Sequence, residues 1–401
     1  MRVSSKKRIL RMVIFDVLGF CVLAYMICAQ VFRFFPFKPI DVSAGMTVLA
    51  TPVPATAAPT AMPTDTPAPT DAPQITPDAS STATSGTATD SPEATPEPIH
   101  TPEPTAEPTS EPAGLLKGKY AEKFSAGQVI SNENEYRSEN VAIELSKRSG
   151  YICSKCNHIF DSAGTCPVCG NEIQSKTGKN GNYVTYTLAD IYIQDISCLR
   201  TAYTLSGSEK KVKELCTENG GVLAINTDMY LTSLKNNHGW FVRNGVEIKR
   251  YKKIDSDLCI LYYDGTMETV DVSVQSVDVD GIYAKYPQHI WFFGPALLTA
   301  DGSAKKEFTT GRNVADSKNP RTAIGYFEPG HYCFIVVDGR DKDRGLDMKE
   351  LSMLCADLGL KAAYNLDGGA SSAMYFNGKN YGLNGRSTTD IAYIAEPNKE
   401  N

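Results

Sequence analysis

Between Lys38 and Lys117 the chain has no lysine and no arginine. From Thr51 to Pro112 it is built almost wholly of Pro, Thr, Ala, Ser, Asp and Glu and holds 15 of the 23 prolines. A segment with so little apolar surface cannot offset its ordering entropy, which excludes a folded domain there. Residues 37–114 are therefore expected to form an extended, acidic, disordered linker. A flexible coil of about 60 residues spans roughly 40–50 Å end to end, and prolines lengthen it. A surplus of basic charge is also missing: 40 Lys and Arg stand against 46 Asp and Glu, a net charge of −6. Nothing in that balance suggests a nucleic-acid partner. Histidine is scarce, five in all, and His238, His289 and His331 are isolated, so they read as packed or surface groups.

Ahead of the linker, residues 1–36 carry five basic residues (Arg2, Lys6, Lys7, Arg8, Arg11) and then an apolar stretch from Met12 to Phe32, broken by Asp16 and Gln30. About 20 such residues span a bilayer, whereas a signal-peptide core is shorter. The basic tip should stay in the cytoplasm, placing the linker and everything beyond it outside. Asp16 then belongs near the cytoplasmic interface, where its charge costs least. The expected location is the cell membrane, with one pass and an extracytoplasmic C-terminal domain.

Residues 115–182 hold YICSKCNHIFDSAGTCPVCGNE, in which Cys153-x-x-Cys156 and Cys166-x-x-Cys169 are nine residues apart. Two such pairs suit two tight turns closing on a tetrahedral metal, a zinc-ribbon-like element at 153–169 with structural zinc and no open coordination position. Two disulfides are the competing assignment on the oxidising side of a membrane. The other extracytoplasmic cysteines (198, 216, 259, 333, 355) are odd in number and lie in apolar runs, as buried thiols do. His158 could compete as a ligand, but four thiolates already complete the set.

The remaining chain, 183–397, alternates short apolar runs with capped helical patterns. YCFIVV (332–337) reads as a buried strand ending in Asp338-Gly339-Arg340. LDMKELSMLCADLGL then reads as a helix, with Asp347 and Glu350 as a capping box and Gly359 as its stop. KAAYNL follows as a second strand ending in Asp367-Gly368-Gly369. A strand–helix–strand unit predicts two neighbouring parallel strands, which places Asp338 and Asp367 side by side at one sheet edge with Arg340, Ser371 and Ser372. SGSEKKVKELCTENGG and GVLAI predict another helix and a strand that brings Asn226 and Asp228 to the same edge. NPRTAIGYF carries Arg321 into a further strand, where its guanidinium suits an anionic substrate. The fold class expected is α+β: a mixed β-sheet with packed helices, preceded by a transmembrane helix, a disordered linker and the small zinc-ribbon-like insertion.

In order and spacing, AINTDMY, FFGPALL, PRTAIGY, VVDGR and NLDGGASSAMYFNG resemble the phosphodiester glycosidase family over roughly residues 183–396. The resemblance implies a hydrolase acting on a sugar-1-phosphodiester, with no organic cofactor, in a family whose bacterial members are linked to exopolysaccharide. It implies a polar site of Asn226, Asp228, Arg321, Asp338, Arg340, Asn365, Asp367, Gly368, Gly369, Ser371 and Ser372. Asp367, Asp338 and Asp228 would be its catalytic carboxylates, and the others would bind substrate. Two close carboxylates would raise one pKa and so supply an acid near neutral pH. Cleavage at C1–O or at P–O would each release free sugar and a phosphomonoester. Thr227 and Ala370 stand where members of the family often carry glycine.

Two other functions fit parts of the sequence. An envelope module could bind anionic glycans with the same arginines and catalyse nothing. DGRDKDRGLD offers Asp338, Asp341, Asp343 and Asp347 to a metal-dependent phosphoesterase, although its spacing misses the calcium-loop pattern.

Overall fold

The computed structural model describes residues 114–397 apart from 205–207, 229–231, 233–234, 309–314 and 341–342. All lie in the unit Thr101–Asn401. The expected membrane anchor and almost all of the linker fall outside the described residues. Among the described residues no helix is long and apolar enough to cross a membrane.

The chain runs through β1 (Ile130–Ser131), β2 (Glu135–Arg137) and the long β3 (Val141–Ile152). It then enters the cysteine element, with β4 (Ile159–Phe160), β5 (Gly164–Thr165) and β6 (Glu172–Ile173). The sequence continues as β7 (Tyr183–Ile193), β8 (Leu199–Tyr203), α1 (Val212–Glu218) and β9 (Leu223–Asn226). Two hairpins, β10 (Trp240–Arg243) with β11 (Val246–Arg250) and β12 (Leu258–Tyr262) with β13 (Met267–Val270), precede α2 (Val279–Ala284) and β14 (Pro287–Phe292). The last third holds β15 (Arg321–Glu328), β16 (His331–Val337), α3 (Met348–Asp357), β17 (Ala362–Asn365), β18 (Ala373–Phe376), β19 (Lys379–Gly382) and β20 (Asp390–Ile394).

The principal sheet has the order β1-β2-β3-β7-β16-β15-β17, with β4 continuing beside β3. Two five-stranded sheets accompany it, β11-β10-β14-β12-β13 and β19-β18-β9-β20-β8. Alternation along the strands divides the core into two layers. Ile324, Phe334 and Val336 face one way, packing with Leu223, Ile225, Met374 and Phe376. Ala323, Ile335 and Val337 face the other way, onto Leu351, Leu354 and Cys355 of α3. The fold is therefore sheet-rich α+β with few helices.

The capping box that opens α3 is present: Glu350 N–H donates to Asp347 Oδ1 at 3.0 Å, and Asp347 N–H donates to Glu350 Oε2 at 3.0 Å. Gly359 ends this helix in the left-handed region, φ 76°. The strand–helix–strand reading holds in direction but not in adjacency. β16 and β17 both run antiparallel to β15, so they are parallel to each other with β15 between them. Every ladder of the principal sheet is antiparallel. An antiparallel middle strand starts where its neighbours end, which brings Arg321, at the start of β15, to the edge where Asp338 and Asp367 emerge.

A candidate active site at one sheet edge

Leu366 N–H donates to Thr322 C=O at 2.8 Å and so extends β17 to the brink of the turn that follows. Asp367 comes next, its N–H donated to Thr227 C=O across from β9 at 2.9 Å. The carboxylate is 11 % exposed and receives Arg386 Nη2 at 2.8 Å. Arg386 Nε donates to Ser371 Oγ at 2.7 Å, so one guanidinium holds both side chains of the NLDGGASS turn. The loop carrying Arg386 is tied down by Ala370, whose C=O accepts the N–H groups of Gly385 and Arg386, both at 3.0 Å. Burial raises the Asp367 pKa above its ordinary value. Hydrogen bonding from Ser371 and the charge of Arg386 oppose that rise, and Asp390 adds to it. The like charge is thus Asp390, where the sequence had suggested Asp338. Asp338 leaves the sheet two strands away, roughly 10 Å at ordinary strand spacing.

The two glycines meet close neighbours. A methyl group on Gly368 would lie 2.9 Å from Pro320 C=O. One on Gly369, at φ 65°, would lie 3.2 Å from Arg340 Nη2. Glycine thus lets Arg340 approach the turn. Arg340 is itself exposed and in the left-handed region at φ 65°. Asp338 is 13 % exposed and faces Lys147 Nζ of β3 at 3.8 Å, and its N–H donates to Thr185 C=O at 2.9 Å.

Other sequence-predicted residues support this edge from behind. Asn226 is fully buried. It donates from Nδ2 to Asp367 C=O at 2.6 Å, and its Oδ1 accepts Thr322 Oγ1 at 2.9 Å and Ala373 N–H at 3.0 Å. It clips β9, in a different sheet from Asp367, to β15, the turn and β18. Arg321 is buried too, donating from Nε to Leu346 C=O at 2.8 Å and from Nη2 to Ser317 C=O. Burial lowers its pKa to about 10, with Asp347 and Glu350 pulling the other way. Asn365 points away, its Nδ2 donating to Gly294 C=O at 2.8 Å, and Ser372 is wholly enclosed.

Asp228 does not reach the edge. Its carboxylate is sealed with Arg243, whose Nη2 donates to Asp228 Oδ1 at 2.5 Å and to Asp390 Oδ2 at 3.1 Å, while Phe292 N–H donates to Asp228 Oδ2 at 2.8 Å. The acidic loop is likewise committed to structure. Asp343 accepts the N–H groups of Thr185 at 2.8 Å and Gly345 at 3.0 Å, and Asp347 caps α3. Asp341 lies outside the described residues.

Among the described residues one group could hold a metal ion, namely Cys153, Cys156, Cys166 and Cys169, whose sulfurs lie within 4.8 Å of one another. All four are free thiols, with Cys153 Sγ 3.5 Å from Cys169 and Cys156 Sγ 3.6 Å from Cys166. Those separations are far from a bonded disulfide, about 2.05 Å, and near the ~3.8 Å between sulfurs around tetrahedral zinc. His158 turns away to Asp357 of α3, at 2.8 Å.

Sequence reasoning missed Arg386 and Lys147. A lone arginine in the Gly- and Ser/Thr-rich loop GRSTTD was the available signal for the first. Nothing marked the second, a lysine in an ordinary strand.

Residues 219–395 match the model of the phosphodiester glycosidase family. No curated protein matches the chain. Among solved structures, similarity is found to the catalytic domain of zebrafish N-acetylglucosamine-1-phosphodiester α-N-acetylglucosaminidase, auto-inhibited by its pro-peptide. It is 16 % identical, with 63 % of this chain and 88 % of that one covered, at TM-score 0.46. A hypothetical protein from Synechocystis is 10 % identical over 67 % of this chain and 63 % of its own, at TM-score 0.45.

Proposed function

We propose, with the phosphodiester glycosidase domain at residues 219–395 as the premise, that this chain hydrolyses sugar-1-phosphodiester linkages in envelope or extracellular glycans. The observation that carries the reading is Asp367: a mostly buried carboxylate at a sheet edge, oriented by Arg386 and Ser371 and placed beside the glycine turn under Arg340. A sugar-1-phosphodiester is a singly charged anion with a good leaving group at C1. Arg340 supplies positive charge at the turn, with Arg386 behind it, and Asp367 serves as nucleophile or proton-transfer group. Asp338 is the second carboxylate of the pair. Asn226, Arg321 and Asp228 act as supports, because their side chains hydrogen-bond to the protein itself, and Asn365 does so through Nδ2, which donates to Gly294 C=O.

Structural zinc at the four cysteines belongs to the same proposal. It fixes the end of β3, whose last residue directly precedes Cys153. The domain is held outside the cell by the N-terminal apolar segment and the linker. The test is turnover by the full-length chain of a panel of sugar-1-phosphodiesters, with release of free sugar and phosphomonoester expected. Binding without product would instead mark a glycan-binding module.

A further inference from the structure

We propose that β3 adds a second anion subsite to this active site, so that the preferred substrate carries another phosphate beyond the bond that is cleaved. The inference rests on the functional reading above, but its residues lie outside the matched family segment. β2 pairs with β3 as far as Glu144, and β4 takes over from Tyr151. In the gap between them Lys147, Arg148 and Ser149 are all exposed on the strand. With Tyr183 and Thr185 they line an open groove of about 430 Å³.

Register ties this groove to the site. Ser149 pairs with Thr185, and Thr185 C=O accepts the N–H of Asp338, so the three residues form one row across β3, β7 and the end of β16. Lys147 is two residues from Ser149 and therefore on the same face. Its side chain is 62 % exposed and its Nζ stands 3.8 Å from the Asp338 carboxylate. An ammonium and two hydroxyls around an open groove offer several donors to one tetrahedral anion. No acidic residue lines the groove. A substrate whose sugar phosphate lies between Asp367 and Asp338 would therefore extend its alcohol portion along β3 toward positive charge. The chemistry this favours is a glycan built from successive phosphodiesters, rather than a sugar phosphate esterified to a neutral alcohol.

The experiment compares two substrates on the full-length chain: N-acetylglucosamine 1-(methyl phosphate) and the same diester made with glycerol 3-phosphate as the alcohol. The wild type should favour the diester that carries the second phosphate. In Lys147→Gln the ratio of kcat/KM for the glycerol phosphate diester over the methyl diester should fall about tenfold, mostly through KM. Taking the ratio cancels any effect of losing the partner of Asp338, since that acts on both substrates alike. Ser149→Asp should lower the same ratio by adding a like charge. An unchanged ratio in both variants overturns the subsite while leaving the hydrolase reading intact. If the wild type turns over neither diester, N-acetylglucosamine is not the sugar it cleaves, and the panel of sugar-1-phosphodiesters decides the hydrolase reading. Equilibrium binding of the glycerol phosphate diester then decides the subsite: about tenfold weaker binding to Lys147→Gln supports it, and equal binding overturns it.

Discussion

Asp367 and Arg386 are joined at 2.8 Å, yet the carboxylate is 11 % exposed and the guanidinium 46 %. One partner is set in the fold and the other faces solvent. A buried carboxylate with a solvent-facing counterion keeps its orientation while remaining reachable from outside. A purely structural ion pair has no need of that arrangement, and the molecule contains one for comparison in Asp228 and Arg243, both side chains 0 % exposed.

Asp367→Asn keeps the shape of the turn and removes the ionisable group. Turnover should fall at least about 100-fold, with affinity for an uncleaved analogue little changed. The stability effect follows from the sign of the pKa shift. Burial raises the Asp367 pKa, so the folded state holds this proton more tightly than the unfolded chain does. Its contribution is present at low pH and is lost as pH rises through the folded pKa. At neutral pH the ionised group is a net cost, and the variant should melt at the wild-type temperature or above. A clear drop in Tm at pH 7 would contradict this account.

Arg386→Gln tests the counterion. Arg386 lowers the Asp367 pKa through both its charge and its hydrogen bond. Removing it should move the acid limb of kcat/KM to higher pH, because Asp367 then stays protonated further up the scale. A shift to lower pH, or none, would detach Arg386 from the chemistry.

How much of this was legible in the sequence depended on whether the cause was local. The α3 capping box, the stop at Gly359 and the strands ending at Val337 and Asn365 follow from residues within one turn or one strand of each other. Sheet order does not. Nothing in YCFIVV or KAAYNL says that β15 will insert between them, since that pairing is settled by packing across the whole domain. GVLAI read as a strand delivering Asn226 and Asp228 to the shared edge, whereas β9 joined another sheet and Asn226 became a clip between the two. Arg386 was missed for the same reason: it lies 19 residues from Asp367 and meets it only because Ala370 C=O folds the loop back.

The cysteine element should carry about one zinc per chain with all four thiols reduced. Chelation, or Cys166→Ser, should lower Tm and increase hydrogen exchange at Gly150–Ile152, where β3 runs into the element. Disulfides in place of metal, seen by mass spectrometry, would refute this.

Membrane topology has a direct test on intact cells. Added protease should cut within the Pro/Thr-rich linker, releasing the C-terminal domain and leaving a small membrane-bound stub. A protected domain would mean the opposite orientation, and a domain found free in untreated medium would mean a cleaved leader.

Asp228 separates support from chemistry. Two carboxylates share one guanidinium out of contact with water, through Arg243 Nη2 at 2.5 Å to Asp228 and 3.1 Å to Asp390. Burial first, and then Asp390, raise the Asp228 pKa, while Arg243 opposes them. Since burial favours the uncharged form of this side chain, asparagine is its nearest neutral replacement, and it keeps an oxygen for Arg243 or for Phe292 N–H. Asp228→Asn should therefore fold with little loss and retain turnover within about tenfold of wild type. Asp228→Ala removes both acceptor oxygens and opens space beside the buried arginine, and should cost about 3–5 kcal/mol of stability. Thermal melts of the two variants beside a turnover assay decide the matter. A well-folded Asp228→Asn enzyme as inactive as Asp367→Asn would move Asp228 from the frame of the site into its chemistry.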